Sequence, residues 1–206
     1  LIQRRNQAFE KRAMRREKRE VRREILIFYS PLSSLLSPLP SLATGSGYVF
    51  DPDPLSTAGV AYAPPYVDNG GADVPELNAE RILVDLPGLT RGTDRHYRLI
   101  GPHVAVTGLD AFGEVVYTPP AETNPHAFRY TRSDDRFEAV NVYYHIDTAQ
   151  RYVQSLGFDD LLNEPIPVNP HAYRLDNAQY LPSQKMLLFG DGGVDDAEDA
   201  SVIWHE

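Results

Sequence analysis

The segment DRFEAVNVYYHIDTAQRYVQSLG, residues 135–157, constrains the fold most, because it is long and its apolar residues recur at helical spacing. Asp135 can cap the first turn, with Glu138 three residues later in a capping-box arrangement, and Gly157 is placed to end the helix. His145 lies beside the apolar face, and we expect a packed, hydrogen-bonded core residue rather than a ligand. The predicted buried face comprises Val142, Ile146, Ala149, Val153 and Leu156.

Short runs rich in β-branched and aromatic residues precede this helix and predict antiparallel strands, because Pro, Gly and Asp separate them. They are RILVDL at 81–86, HYRLI at 96–100, HVAV at 103–106 and EVVYT at 114–118. After the helix, AYRLDNAQY at 172–180 and KMLLFGDG at 185–192 are joined by LPSQ and predict a hairpin.

We therefore expect an α+β fold over residues 48–206. Its parts are a β-rich lobe at 48–130, the helix at 135–157, an edge hairpin at 172–192 and the start of a further helix at 196–206.

Charge is divided unevenly along the chain. Residues 1–24 hold ten Lys and Arg against four Glu, a net of +6, and the remaining residues hold ten Lys and Arg against twenty-five Asp and Glu, a net of −15. So acidic a body repels nucleic acid and anionic membranes, and it suits calcium binding outside the cell. The absence of Cys excludes disulfides and thiolate metal sites. We expect a secreted, extracellular protein with no nucleic-acid partner.

The first 47 residues form a basic leader and a Pro/Ser-rich linker, and each part has two open interpretations. Residues 1–24 predict a solvated or disordered leader; the alternative is an RNA-binding arm, although the aromatic interleaving that base stacking uses is missing. Residues 25–47 have the order of a secretory signal peptide, and a plain linker is the alternative. Pro31, Pro38 and Pro40 interrupt the apolar run, so we expect no stable membrane insertion. The oligomeric state stays open.

The chain ends on VIWHE, with His205 and Glu206 in the second turn of a helix for which Asp195 or Asp196 is the expected cap. His-Glu is the first half of the zinc motif H-E-x-x-H. Residues four apart share one helical face, so two imidazoles can reach one Zn²⁺, and the Glu accepts a proton from the water that the metal activates. We expect Trp204 to pack in the core. Alone, the dipeptide is frequent by chance.

The surrounding sequence carries a resemblance to a known family. Residues 176–206, DNAQYLPSQKMLLFGDGGVDDAEDASVIWHE, resemble the segment that leads into the zinc helix of fungalysin-like and thermolysin-like (gluzincin) zinc metallopeptidases. Residues 140–158 are similar to the preceding helix of fungalysin-like bacterial proteins, and GYVFDPDPL at 47–55 resembles their opening. The resemblance implies the β-rich N-terminal lobe of a zinc metalloendopeptidase, in a fragment that stops inside H-E-x-x-H.

The resemblance also implies roles for individual residues. His205 would be the first zinc ligand and Glu206 the catalytic base, while Asn177 and Ala178 would hold the backbone of a protein or peptide substrate by strand addition. Without the resemblance, Asn177 would simply be a turn or strand-end residue. Because the second His and a third ligand are not in the sequence, we expect the 206-residue chain to be inactive.

Ser201 departs from the family pattern, in which the residue four before the first zinc His is often Asp and in some relatives helps to bind calcium. Nearby acidic residues could still offer Ca²⁺ hard oxygen ligands, or they could only cap a helix. This candidate calcium set comprises Asp195, Asp196, Glu198 and Asp199.

The alternative function is a non-catalytic β-rich extracellular binding module, in which VIWHE is an ordinary terminal helix. The two hypotheses differ in the sequence that they require after Glu206 and in their response to a chelator. A zinc peptidase requires a His three residues after Glu206 and loses activity to a chelator, whereas ligand binding by a module is indifferent to chelation.

Overall fold

Two small β-sheets and one long helix form the architecture of residues 42–67 and 71–206, the part of the chain that this computed structural model describes. The strands are β1 (Leu42–Val49), β2 (Ile82–Arg91), β3 (Tyr97–Arg98), β4 (Val104–Val106), β5 (Ala121–Glu122), β6 (Ile166–Tyr173), β7 (Ala178–Leu181) and β8 (Met186–Gly190). The helices are α1 (Pro54–Ala58), α2 (Pro75–Asn78), α3 (Phe137–Ser155) and α4 (Ala200–His205), with a 3-10 turn at Asp196–Glu198.

These elements confirm the expected mixed α+β class. The predicted basic leader and most of the linker lie outside the described residues. Among the residues that are described, no helix is both long and apolar enough to cross a membrane.

The first sheet has the order β1-β2-β3-β5 and is antiparallel throughout. β1 starts at Leu42, inside the segment that the sequence pattern assigns to the linker, because its small residues pair with the longer strand β2. The predicted strand at 114–118 is wrong. Only an isolated bridge between Leu109 and Val115 forms there, and Val115 is mostly exposed, so this run has no sheet to bury it.

The second sheet has the order β4-β6-β8-β7 and mixes both strand directions. β4, β6 and β8 run parallel, and α3 lies between β4 and β6 in the chain, as a crossover connection requires. β7 pairs antiparallel with β8 and forms the edge, which confirms the predicted hairpin. The predicted strand at 172–180 is in fact two strands, because the chain bends between Tyr173 and Ala178.

The long helix α3 starts and packs differently from the prediction. Arg136 is its N-cap with no side-chain hydrogen bond, so the predicted capping box of Asp135 and Glu138 does not form, and Glu138 is buried instead. The helix ends before Gly157, which has the expected positive φ of 91°. Its buried residues concentrate in the first half, because that half contacts both sheets and the 3-10 turn. Leu156, placed by the pattern on the buried face, is exposed.

Buried polar side chains of α3 join the two ends of the described structure. Asn141 accepts a hydrogen bond from Phe50 N at 2.9 Å and donates one to Ala197 O at 2.8 Å. One turn later, His145 is fully buried and its Nε2 lies 2.7 Å from Phe50 O, which confirms the prediction of a packed, hydrogen-bonded histidine. These bonds fix the 3-10 turn, and therefore the start of α4, against the core.

Candidate functional site

The final helix is positioned by a different cap from the one that the sequence pattern predicts. Asp199 is the N-cap of α4, and its Oδ1 accepts a hydrogen bond from Ser201 N at 2.6 Å. The predicted caps, Asp195 and Asp196, belong to the separate 3-10 turn, where the side chain of Asp195 makes no capping bond. The 3-10 turn therefore moves the helix start to Ala200 and leaves the earlier carboxylates available for other contacts.

Glu206 lies against the edge strand β7. Its Oε2 accepts a hydrogen bond from the main-chain N–H of Tyr180 at 2.9 Å. His205, the neighbouring residue, is exposed, and no hydrogen bond or ion pair to its ring occurs among the described residues. An accessible imidazole thus lies next to a carboxylate that is held at the open side of a β-strand.

The open side of β7 presents main-chain groups of Ala178 and Tyr180. The Tyr180 N–H points away from β8, since it donates to Glu206, and the alternation along a strand places the Ala178 N–H and C=O on the same side. Asn177 directly precedes the strand, beyond the bend that follows Tyr173. The substrate role of Asn177 and Ala178 stays a prediction.

Trp204 does not pack in the core, and that prediction is wrong. Its side chain is 52% exposed. The indole Nε1 donates a hydrogen bond to His145 O at 3.3 Å, and the two rings pack edge to face with centroids 5.5 Å apart. The side chain therefore lies over the flank of α3 rather than beneath His205.

A mainly apolar cavity of about 610 Å³ lies between α3, β6, the β7–β8 hairpin and α4. Tyr180 and Glu206 line it together with apolar residues of α3, β8 and α4. Three residues of the predicted helix face line this cavity instead of being packed inside the core: Ile146, Ala149 and Val153. The base candidate Glu206 thus borders both the edge strand and an apolar concavity, a combination typical of ligand sites.

A second group of side chains, which we call the acidic triad, comprises Glu138, Asp195 and Glu198. One carboxylate oxygen from each lies within 4.8 Å of the others, and all three residues are buried. Of the candidate calcium set, the structure brings Asp195 and Glu198 into the triad. Asp199 is instead used as the helix cap, and Asp196 lies in the 3-10 turn outside the triad.

Arg132 compensates part of the triad's charge. Its side chain and that of Glu198 are both fully buried, and Nε lies 2.9 Å and 2.8 Å from the two carboxylate oxygens. The guanidinium also donates to Ala72 O at 3.2 Å and to Tyr66 O at 3.3 Å. The buried Arg132 side chain therefore connects the loop at 71–73 to the 3-10 turn.

His171, on β6, supplies the second positive charge. Nδ1 lies 2.7 Å from Asp191 Oδ1, Nε2 lies 2.6 Å from Asp135 O, and Nε2 is also 3.5 Å from Glu138 Oε2. Since both ring nitrogens face acceptors, both carry protons. Burial disfavours the charged ring, but the hydrogen bond to Asp191 and the nearby Glu138 carboxylate outweigh burial and raise the pKa of His171 to about 11.

Burial raises the pKa of every carboxyl group in the triad. Desolvation is the main cause for Asp195, with repulsion from Glu138 and Asp191, and its pKa rises to about 8. Desolvation also raises the pKa of Glu138 and, well above its ordinary value, that of Glu198. Burial therefore favours the protonated form of these three carboxyl groups when no cation is bound.

Sequence reasoning missed Glu138, Arg132 and His171 as parts of a polar centre. The sequence could have indicated Glu138, because four-residue spacing puts it on the same helix face as Val142 and Ile146. An acidic residue within an apolar stripe requires a buried partner. Arg132 and His171 carry no such signal, since they come from a loop and from a strand distant in sequence.

Comparison with known proteins adds no identity: no family model matches the chain, and no curated protein matches it. The functional argument therefore depends on the residues and contacts described above.

Proposed function

We propose that this chain is part of a secreted, thermolysin-like zinc metalloendopeptidase, which hydrolyses peptide bonds in protein or peptide substrates. The observation that carries the proposal is the 2.9 Å hydrogen bond between Glu206 Oε2 and Tyr180 N. It sets the candidate base against a strand edge, where an extended peptide would lie.

β7 would bind the substrate by strand addition. Its open side carries the main-chain groups of Ala178, and an extended peptide pairs with such groups irrespective of its side chains. Glu206 would then accept the proton of the attacking water and pass it to the leaving amine. The hydrogen bond from Tyr180 N–H holds the carboxylate in place before substrate arrives.

His205 fits the role of a zinc ligand, because its ring is exposed and next to Glu206 at the end of α4. When bound, zinc would polarise the substrate carbonyl and lower the pKa of the attacking water. The 206 residues contribute one imidazole of the pair that H-E-x-x-H requires. The proposal therefore demands a His at the third residue after Glu206, one helical turn beyond His205 and on the same face.

The first experiment is to read the source DNA beyond the codon for Glu206. Two codons followed by one for His, with a Glu on a later helix, would support the proposal at the level of ligands. A stop codon, or a continuation without that His, would overturn it and make the binding module the better hypothesis.

The second experiment assays the protein translated from the whole reading frame on a fluorogenic peptide. We expect activity that a chelator removes and Zn²⁺ restores, and that both His205→Ala and Glu206→Gln abolish. Glu164→Gln is the matched control, since Glu164 lines the same cavity but pairs with Lys185 on the surface. Glu206→Gln retaining full activity would refute the assigned base.

The 206-residue chain itself should hydrolyse nothing, with or without added zinc, because one imidazole cannot hold the metal at useful affinity. Hydrolysis by this chain that disappears in His205→Ala would contradict that expectation.

A further inference from the structure

The acidic triad has the dimensions of a cation site. Its three oxygens lie within 4.8 Å of one another. Around a Ca²⁺ ion with bonds of about 2.4 Å, even opposed ligands are roughly 4.8 Å apart, so one ion can contact all three without moving them further apart.

Triad residues also carry carboxylate oxygens that lack a hydrogen-bond partner, which is a separate observation. Asp195 is only 3% exposed, and its Oδ1 has no hydrogen-bond partner among the described residues. Glu138 is 1% exposed, and its Oε2 has only the 3.5 Å contact with His171, which is too long for a strong hydrogen bond. Buried carboxylate oxygens without partners are costly, and a bound cation satisfies them.

In their ionised forms, the charged groups around the triad would balance one divalent cation. When ionised, the triad and Asp191 contribute four negative charges against the two positive charges of Arg132 and His171, a net of −2. Because the three triad residues are buried, their unpaired charge must be neutralised by protons or by an ion.

We propose that Glu138, Asp195 and Glu198 bind one Ca²⁺ ion. Oxygen-only ligands select a hard cation over zinc, and a fully buried site suits Ca²⁺ better than Mg²⁺, which dehydrates reluctantly and keeps several waters. The site is separate from His205 and does not depend on the proposed peptidase activity.

A Ca²⁺ ion here would join α3 to the 3-10 turn that precedes α4. Glu138 belongs to α3, and Glu198 is the last residue of the turn, next to the Asp199 cap. The ion would thus fix the start of the helix that carries His205 and Glu206, which is a structural role.

The test uses the 206-residue protein, stripped with EDTA and titrated with CaCl₂ by isothermal calorimetry and by thermal melting. We expect one Ca²⁺ per chain and, at Ca²⁺ about 100-fold above Kd, a rise in melting temperature of roughly 5–10 °C. The same concentration of Mg²⁺ should give a smaller rise. A protein that is folded by circular dichroism yet binds no Ca²⁺ at about 1 mM, the weak end of the range for extracellular calcium sites, overturns the proposal.

Two variants and a control locate the site. Glu138→Gln and Asp195→Asn should each remove the Ca²⁺-dependent rise, while Asp196→Asn, in the same acidic turn but outside the triad, should keep it. Loss of the rise in Asp196→Asn, or its persistence in Asp195→Asn, would contradict the assignment. Glu198 is left unchanged, because it also pairs with the buried Arg132.

Asp195→Asn gives a further readout that does not depend on binding. Asp195 is 3% exposed and its Oδ1 has no hydrogen-bond partner among the described residues, so a neutral amide of the same shape avoids the cost of burying an unpaired charge. We expect this variant, free of metal, to melt at or above the temperature of the metal-free wild type. A clear drop would mean that the carboxylate stabilises the fold without an ion, and would count against the site.

Discussion

Substitution of Arg132 by Met tests whether the buried ion pair holds the 3-10 turn in place. The change keeps most of the side chain's length and removes the charge, which leaves the Glu198 carboxylate buried without its cation. Breaking a buried pair from one side costs about 3–5 kcal/mol. The lost bonds to two main-chain carbonyls add to this, so we expect the free energy of unfolding to fall by about 4 kcal/mol or more.

The double variant Arg132→Met/Glu198→Met distinguishes an uncompensated charge from lost packing. When both charges are replaced by apolar groups, no buried carboxylate is left unpaired, so at least about 2 kcal/mol of the single variant's loss should return. Arg129→Met is the matched control, because Arg129 is exposed in the same segment and should change stability by less than about 0.5 kcal/mol.

Urea unfolding followed by far-ultraviolet circular dichroism, in EDTA so that no cation contributes, measures these differences. The melting temperature of Arg132→Met should fall by roughly 8–16 °C, from the usual 2–4 °C per kcal/mol for a chain of this size. An Arg132→Met variant as stable as Arg129→Met would refute the reasoning, and so would a double variant no more stable than Arg132→Met.

Three further predictions follow from other contacts. Asn141→Leu leaves two buried main-chain groups without partners and should cost about 2–5 kcal/mol in urea unfolding. Gly193→Ala should lower the melting temperature more than Gly113→Ala. Both glycines have positive φ, but an added Cβ would collide with the Tyr62 hydroxyl at Gly193 and meets nothing within 4 Å at Gly113. Burial would raise the pKa of Asp73, but hydrogen bonds from neighbouring side chains and a main-chain N–H outweigh it and lower that pKa to about 2. The ionised Asp73 carboxylate therefore stabilises the fold fully above its unfolded pKa of about 4, and this stabilisation is lost as the pH falls through 2. Urea unfolding at each pH measures the difference in free energy of unfolding between wild type and Asp73→Asn. This difference should shrink as the pH falls from about 4 to 2.

The local sequence pattern predicted the helices and strands that are indicated by residues of their own segment. The helix at 135–157 follows from its period and its terminal Gly157, and the β7–β8 hairpin follows from two apolar runs joined by LPSQ. The run at 114–118 has the same apolar character yet forms no strand, because a strand also needs a neighbour to pair with.

The candidate site likewise has one part that local sequence indicated and one part that depends on tertiary packing. The sequence singled out His205 and Glu206 from their place on a capped helix, although the cap itself is Asp199 rather than Asp195 or Asp196. It did not indicate that Glu206 would hydrogen-bond to an edge strand, since that contact depends on how α4 packs beside the second sheet.

The sequence by itself determined the α+β class, the long helix, the hairpin and the acidic character of the chain after residue 24. Only the tertiary structure decided that Glu138 lies beside Asp195 and Glu198 instead of forming the predicted capping box. It also decided that Arg132 and His171 balance part of the charge of these carboxylates. The physical reason is that helical period and turn chemistry act between residues a few positions apart. The burial and pairing of charge depend instead on which distant segments pack together, and no local pattern records that choice.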